Sequence, residues 1–229
     1  MHETKNIQFC LSNKIVSYKE AIFTMEKYAK AIAEQNIPGL LWFLEHPPIY
    51  TAGTSAKHND LLSPSSLPVF ETGRGGQYTY HGPGQRIVYV MLNLRHYKCD
   101  IRAYITHLEN WIIASLAQID VKAAHKKGRT GVWVEPKDYT SIETEMKIAA
   151  IGVRIRKWVT MHGVAININP NLNHYKNIIP CGIKEYGVTS IEALGKPATM
   201  QTLDNVLKTE FQKEFNVIIL DCGKKYPIL

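Results

Sequence analysis

The stretch Glu71-Thr-Gly-Arg-Gly-Gly-Gln-Tyr-Thr-Tyr-His-Gly-Pro-Gly-Gln-Arg86 constrains the fold more than any other part of the chain. It sets Gly73, Gly75, Gly76, Gly82 and Gly84 around Arg74, Gln77, Thr79, His81 and Gln85, then runs into the apolar segment 87–94. Glycine lets a backbone take positive φ or pass close to a ligand. The alternation over 77–81 has the period of a strand, so Gln77, Thr79 and His81 share one face. A glycine-flanked strand with polar groups on one face suits a directional binding wall. Gly73 to Gly76 has the composition of a phosphate loop, but neither dinucleotide nor Walker spacing, and a strand follows rather than a helix N-terminus. A hairpin with purely structural glycines is the competing reading.

The chain has 229 residues, 45% of them hydrophobic, which allows a sizeable core and predicts a single domain over 1–229. No apolar run approaches the ~18 residues of a membrane helix, so no membrane span is expected. The start, Met1-His-Glu-Thr-Lys, lacks the basic and apolar regions of a secretory leader. Cys10, Cys99, Cys181 and Cys222 are scattered and read as free thiols of a reducing compartment, so a cytoplasmic location is expected. The net charge of +7 includes two short clusters, His125 to Arg129 and Arg154 to Lys157. These fit either a solvated surface or the steering of an acidic partner, nucleic acid or protein.

Ser17-x-x-Glu20 is a capping-box pattern, and Ile22, Met25, Ala29 and Ile32 continue at helical spacing until Pro38-Gly39. Leu40 to Leu44 reads as a buried strand. The adjacent prolines of Glu45 to Thr54 argue against regular structure there, and 55–68 reads as a surface loop. A strand over 86–94 follows. Asp100 caps a helix with an apolar stripe through Tyr104, Leu108, Trp111, Ile112 and Leu116. Strand-like runs occupy 130–135, 147–153 and 158–168, and the Asn-, Pro- and Gly-rich segment 167–182 reads as loop. Thr199 opens a last helix, and Val217 to Leu220 is a closing strand. Helices bracketing a strand-rich middle predict an α+β (mixed α/β) fold.

Cys181 stands on a loop between Pro180 and Gly182, unlike Cys10, which sits in an apolar segment as a structural cysteine does. A thiol of pKa near ~8.5 becomes a nucleophile only beside a cation or a base. His81, His162 and Lys147 are the candidates for that neighbour. His81, His162 and Cys181 match no metal-ligand spacing, so no metal is expected. Glu143 and Glu145 flank a turn and read as solvated.

Five segments then fall in order: Arg74 to Gln85, Lys147 to Arg154, Trp158-x-x-x-His-Gly-Val-Ala165, Asn167-x-Asn-Pro170 and Ile179-Pro-Cys-Gly-Ile183. Together with Glu45 to Gly53 and Gly187-Val-Thr-Ser190 they resemble the bacterial lipoyl(octanoyl) transferase family over about residues 16–195. Tyr78 and Tyr80 depart from that pattern in variable positions, as does Asn171, where an acidic residue is common.

The resemblance implies an enzyme that moves an octanoyl (or lipoyl) group from acyl carrier protein to a lysine of a lipoyl domain, through a cysteine thioester. The acceptors it implies are the lipoyl domains of 2-oxoacid dehydrogenase E2 subunits and the glycine cleavage H protein. It implies the catalytic-domain fold of class II aminoacyl-tRNA synthetases and biotin protein ligases, and no cofactor, membrane or nucleic acid. Its Cys/Lys dyad falls on Cys181 and Lys147. Its substrate contacts fall on Arg74, Gly75, Gly76, Gln77, Tyr78, Thr79, Tyr80 and His81, on Ala150, Ile151 and Gly152, and on Gly163, Val164 and Ala165, with His162 nearby. A Lys147 ammonium would favour the Cys181 thiolate, and the neutral amine would later accept a proton. Gly182 or a neighbouring N–H would face the oxyanion, and His81 would orient the site. The small residues would leave room for a straight acyl chain or simply allow close strand packing. The competing functions are an ATP-dependent lipoate or biotin protein ligase, which needs no loop cysteine, and a basic nucleic-acid-binding module.

Overall fold

The computed structural model describes residues 5–63, 67–135, 137, 144–179, 186–223 and 226–227. Among them, strands β1 (Lys5–Leu11), β2 (Gly39–Leu44), β6 (Gln85–Met91), β7 (Ala124–Lys126), β8 (Arg129–Val134), β9 (Met146–Arg156), β10 (Val159–Asn167), β11 (Gly187–Val188) and β12 (Val217–Asp221) build one nine-stranded mixed sheet. Its order is β12-β1-β2-β6-β10-β9-β8-β7, with β11 added parallel to β9. The β2-β6-β10-β9-β8-β7 side is antiparallel throughout, while β1 runs parallel to both neighbours. A second, three-stranded sheet has the order β4 (Val69–Glu71), β3 (Ile49–Ala52), β5 (Tyr78–His81).

Helix α1 (Tyr18–Gln35) begins where the Ser17 hydroxyl accepts the Glu20 N–H, and it ends at Asn36 in the left-handed region, two residues before Pro38. Its Ala21, Met25, Tyr28 and Ile32 pack on Leu40, Trp42, Leu44, Ile87, Tyr89 and Met91, one face of the large sheet. Helices α2 (Ile101–Ala117) and α3 (Met200–Phe215) are capped by Asp100 and Thr199 and cover the other face. There Leu108, Trp111, Leu207 and Phe211 meet Phe9, Phe43, Val88, Val90 and Ile166. The alternation along β2 and β6 sorts residues to the two layers as strand geometry requires.

Two expectations change. Glu45 to Thr54 is not wholly irregular: β3 starts directly after Pro48, where Tyr50 N–H reaches Pro68 O at 2.9 Å. Prolines lack the donor a ladder needs, but they do not prevent a strand beginning after them. β1 was not foreseen beyond the apolar setting of Cys10, because Asn6 and Gln8 interrupt its pattern. Glu145 is not simply solvated, since its carboxylate ion-pairs with Lys126 and Arg129. Glu143, Pro180, Cys181, Gly182 and Ile183 lie outside the described residues. No helix among the described residues is long and apolar enough to cross a membrane.

One polar contact ties α3 to the sheet. Arg86 on β6 makes a two-pronged pair with Asp204, at 2.7 and 2.8 Å, with both side chains more than nine-tenths buried. Removing one partner strands the other charge, so Asp204→Ala is expected to lose about 3–5 kcal/mol in urea denaturation. The double variant Arg86→Met/Asp204→Leu should regain most of that loss.

Candidate active site

Where β9 meets β10, the ladder places Ala150 opposite Ala165 and Gly152 opposite Gly163. Four positions on one sheet face thus carry a methyl group or less. They floor a cavity of about 280 Å³, flanked by Ile87 and Tyr89 of β6 and lined also by Tyr18, the first residue of α1. Gly75, Gly76, Gln77, Tyr78, Thr79 and His81 form one wall, Ile151 and Val164 also line it, and Lys147, Arg129, Thr130 and Trp133 form the other.

Arg74 holds the first wall. Its guanidinium donates to Thr51 O (2.8 Å), Thr51 Oγ1 (2.7 Å), Gln77 O (2.9 Å) and Gly75 O (2.9 Å), clamping the glycine turn onto β3. A Cβ on Gly152 would stand 3.0 Å from Arg74 Cδ and 3.3 Å from Gly75 O, so this glycine lets the clamp lie over the sheet. The expected face of Gln77, Thr79 and His81 lines the cavity, with Tyr78 also touching it. Tyr80 does not line it, contrary to expectation. The strand alternation turns it the other way, where its ring stacks on His174 at 4.7 Å and packs against Tyr50 and Tyr175.

The histidines here are held neutral. His46 Nδ1 donates to Val16 O at 2.7 Å, which leaves Nε2 to accept the Tyr89 hydroxyl at 2.7 Å. His81 Nδ1 donates to Gln85 Oε1 at 2.7 Å, because the Gln85 amide nitrogen is spent on Asn167 Oδ1 and Tyr175 Oη. Burial pushes His46 down to about 4. Burial, then the neighbouring His46, lowers His81 to about 3. Burial, then the Arg74 and Arg154 charges, lowers His162 to about 3. His162, which lines the cavity, has a left-handed backbone (φ 62°) and an edge-on ring contact with Tyr89 at 5.9 Å. None of the three offers a cation for a thiolate at neutral pH.

Lys147 remains of the candidates. It is 6% exposed, and its Nζ donates to Thr130 O at 2.9 Å and lies 4.7 Å from the Trp133 ring centre. Gly131 has φ +117°, and a Cβ there would come within 3.1 Å of Lys147 Cε, so the lysine crosses β8 only because that residue is glycine. β11 pairs Val188 with Lys147 in parallel register.

Sequence reasoning missed His46 beside the cavity and the wall built by Arg129, Thr130 and Trp133. In the sequence Arg129 belongs to a short basic cluster, and Thr130 and Trp133 to a strand-like run. No spacing rule links them to Lys147, which reaches them only through β8–β9 pairing.

The lipoyl protein ligase A/B catalytic domain family matches residues 17–212. An octanoyltransferase of Parvibaculum lavamentivorans is 55% identical over 90% of this chain and 91% of its own length. One of Bartonella quintana is 50% identical over 93% and 89%. The bipartite lipoate protein ligase of Thermoplasma acidophilum superposes with a TM-score of 0.70 at 13% identity, over 96% of this chain and 87% of that one. The last likeness is one of fold, and it bears out the α+β ligase-type architecture read from the sequence.

The neutral histidines make stability pH-dependent. A base whose folded pKa is depressed adds stability that is complete above its unfolded value near ~6.5 and is lost as pH falls toward the folded value. His46 and His162, both buried, should each contribute a slope of about 1.4 kcal/mol per pH unit in that window. The urea midpoint should therefore fall between about pH 6 and pH 4, and His162→Asn, which tolerates the left-handed backbone, should flatten that fall.

Proposed function

The chain belongs to the lipoyl protein ligase A/B catalytic domain family, and from that premise we propose that it is an octanoyltransferase acting in protein lipoylation. The donor in this reading is octanoyl-acyl carrier protein. The acceptor is a lysine on a lipoyl domain, such as those of 2-oxoacid dehydrogenase E2 subunits and the glycine cleavage H protein. The observation that carries the reading is the narrow trough of Ala150, Gly152, Gly163 and Ala165 with the buried amine of Lys147 in the same cavity. An apolar groove whose floor carries nothing larger than a methyl group suits an unbranched acyl chain, and a lysine in its wall suits an acyl transfer that begins at a thiolate.

In the proposed mechanism the Cys181 thiolate attacks the thioester carbonyl. A carbon–sulfur bond forms, the carrier's thiolate leaves, and it takes up the proton that the Lys147 ammonium gives up, which leaves Lys147 neutral. Lys147 as an ammonium favours the Cys181 thiolate by charge, as a cation does beside any thiol. The acceptor lysine, as free amine, then attacks the acyl-Cys181 thioester. Its nitrogen forms the amide, Cys181 leaves as thiolate, and neutral Lys147 takes the surplus proton. One thioester replaces another and the second step is downhill to an amide, so neither step needs ATP. Arg74, whose guanidinium donates to Thr51, Gly75 and Gln77, keeps the groove open. That wall is preorganised, so little binding energy goes into ordering it.

Intact mass after incubation with octanoyl-acyl carrier protein and no ATP tests this directly. The wild type should gain one octanoyl group, removable by hydroxylamine, and Cys181→Ala should gain none. Acylation of a lipoyl domain only when ATP is added would sink the transferase reading. The trough has its own test: Ala150→Leu should lower kcat/KM for octanoyl donors roughly 10-fold or more while sparing butyryl donors. Equal loss on both chain lengths would mean the acyl chain lies elsewhere.

A further inference from the structure

The wall opposite Arg74 contains a second arginine that the two-residue dyad leaves unused. Arg129 opens β8, and its guanidinium is fixed on several sides. Its Nη2 pairs with the Glu145 carboxylate. Its Cζ lies 4.1 Å from the Tyr186 ring centre and 4.7 Å from that of Trp133, two rings that meet edge-on. Lys147 Nζ sits 4.7 Å from the same Trp133 ring, so one indole braces both cations against the cavity.

The remaining nitrogen is different. Nη1 of Arg129 is buried and has no hydrogen-bond partner among the described residues. A buried donor left without an acceptor costs about 1–3 kcal/mol, and a planar guanidinium held in place cannot swing to find one. Such a cost is recovered when a ligand brings the missing acceptor. The cavity that Arg129 and Lys147 share is where the acyl group must sit if the transferase reading, on which this inference rests, is right.

We propose that Arg129 contacts the substrate, donating from Nη1 to the carbonyl oxygen of the acyl thioester. When the Cys181 thiolate adds to that carbon, the π pair moves onto oxygen and the negative charge forms beside a fixed positive donor. Collapse returns the pair to the carbonyl and expels the carrier's thiolate. A donor aimed at developing charge lowers the barrier more than it tightens ground-state binding, so its loss falls on kcat. The stacking and the Glu145 pair hold the guanidinium ready before substrate arrives.

The test uses Arg129→Met, which keeps a long apolar stem between the two rings. It measures kcat and KM on octanoyl-acyl carrier protein and on a small octanoyl thioester without a carrier, octanoyl-N-acetylcysteamine. The carbonyl is common to both donors, so kcat should fall about 100-fold on each, with KM changed by no more than about threefold. Arg129→Ala should regain part of its activity on addition of methylguanidinium, a response that lost packing alone does not give. A kcat for Arg129→Met within about threefold of wild type overturns the proposal, as does a loss confined to KM or to the carrier-bound donor. Failure of methylguanidinium to rescue a folded Arg129→Ala overturns it too. Wild type inactive on both donors would instead refute the transferase reading itself, and the role of Arg129 with it.

Discussion

A sheet face in a protein interior normally carries side chains long enough to meet the next layer, because interiors are packed to crystal density. The face of β9 and β10 at Ala150, Gly152, Gly163 and Ala165 does not, and the rest of the site follows from that deficit. The space above these positions has to be kept open, and Arg74 keeps it by fastening the glycine turn to β3 rather than letting it collapse onto the floor. Gly152 in turn admits the Arg74 stem. The small residues therefore do both things their sequence allowed: they permit close backbone approach and they leave a groove.

Electrostatics divides the cavity. On the Arg74 side His46, His81 and His162 are held neutral chiefly by burial, helped at His81 by the neighbouring His46 and at His162 by the Arg74 and Arg154 charges. On the β8 side Lys147 and Arg129 share the Trp133 ring. Neutral imidazoles beside a buried guanidinium avoid further like charge, which is the cheaper arrangement where water is excluded. The reactive charge is thereby confined to one wall, where β9 carries Lys147 and pairs with β11.

Much of this was legible in the residues. The capping signals at Ser17, Asp100 and Thr199 located three helices, since those side chains bind orphan N–H groups wherever they occur. The alternation around Thr79 located the polar wall and, read consistently, already pointed Tyr80 to the opposite face. The expectation for Tyr80 came from the family resemblance and ran against that alternation. What stayed hidden depends on pairing between distant segments. The Arg129–Trp133–Lys147 arrangement needs a β8–β9 register with an irregularity between Val132 and Trp133, and no local pattern encodes it. β1 was obscured because Asn6 and Gln8 break its apolar run, while its place between β12 and β2 is set by tertiary contacts.

The central claim is that the acyl chain lies along the small-residue trough with its carbonyl at the Lys147 wall. A crystal structure of the octanoylated enzyme, trapped without acceptor, tests it most directly. The account predicts density continuous from Cys181 Sγ, with the chain passing over Ala150, Gly152, Gly163 and Ala165 and the carbonyl oxygen facing Lys147 and Arg129. An octanoyl group attached at another residue, or a chain lying outside this trough, would contradict it.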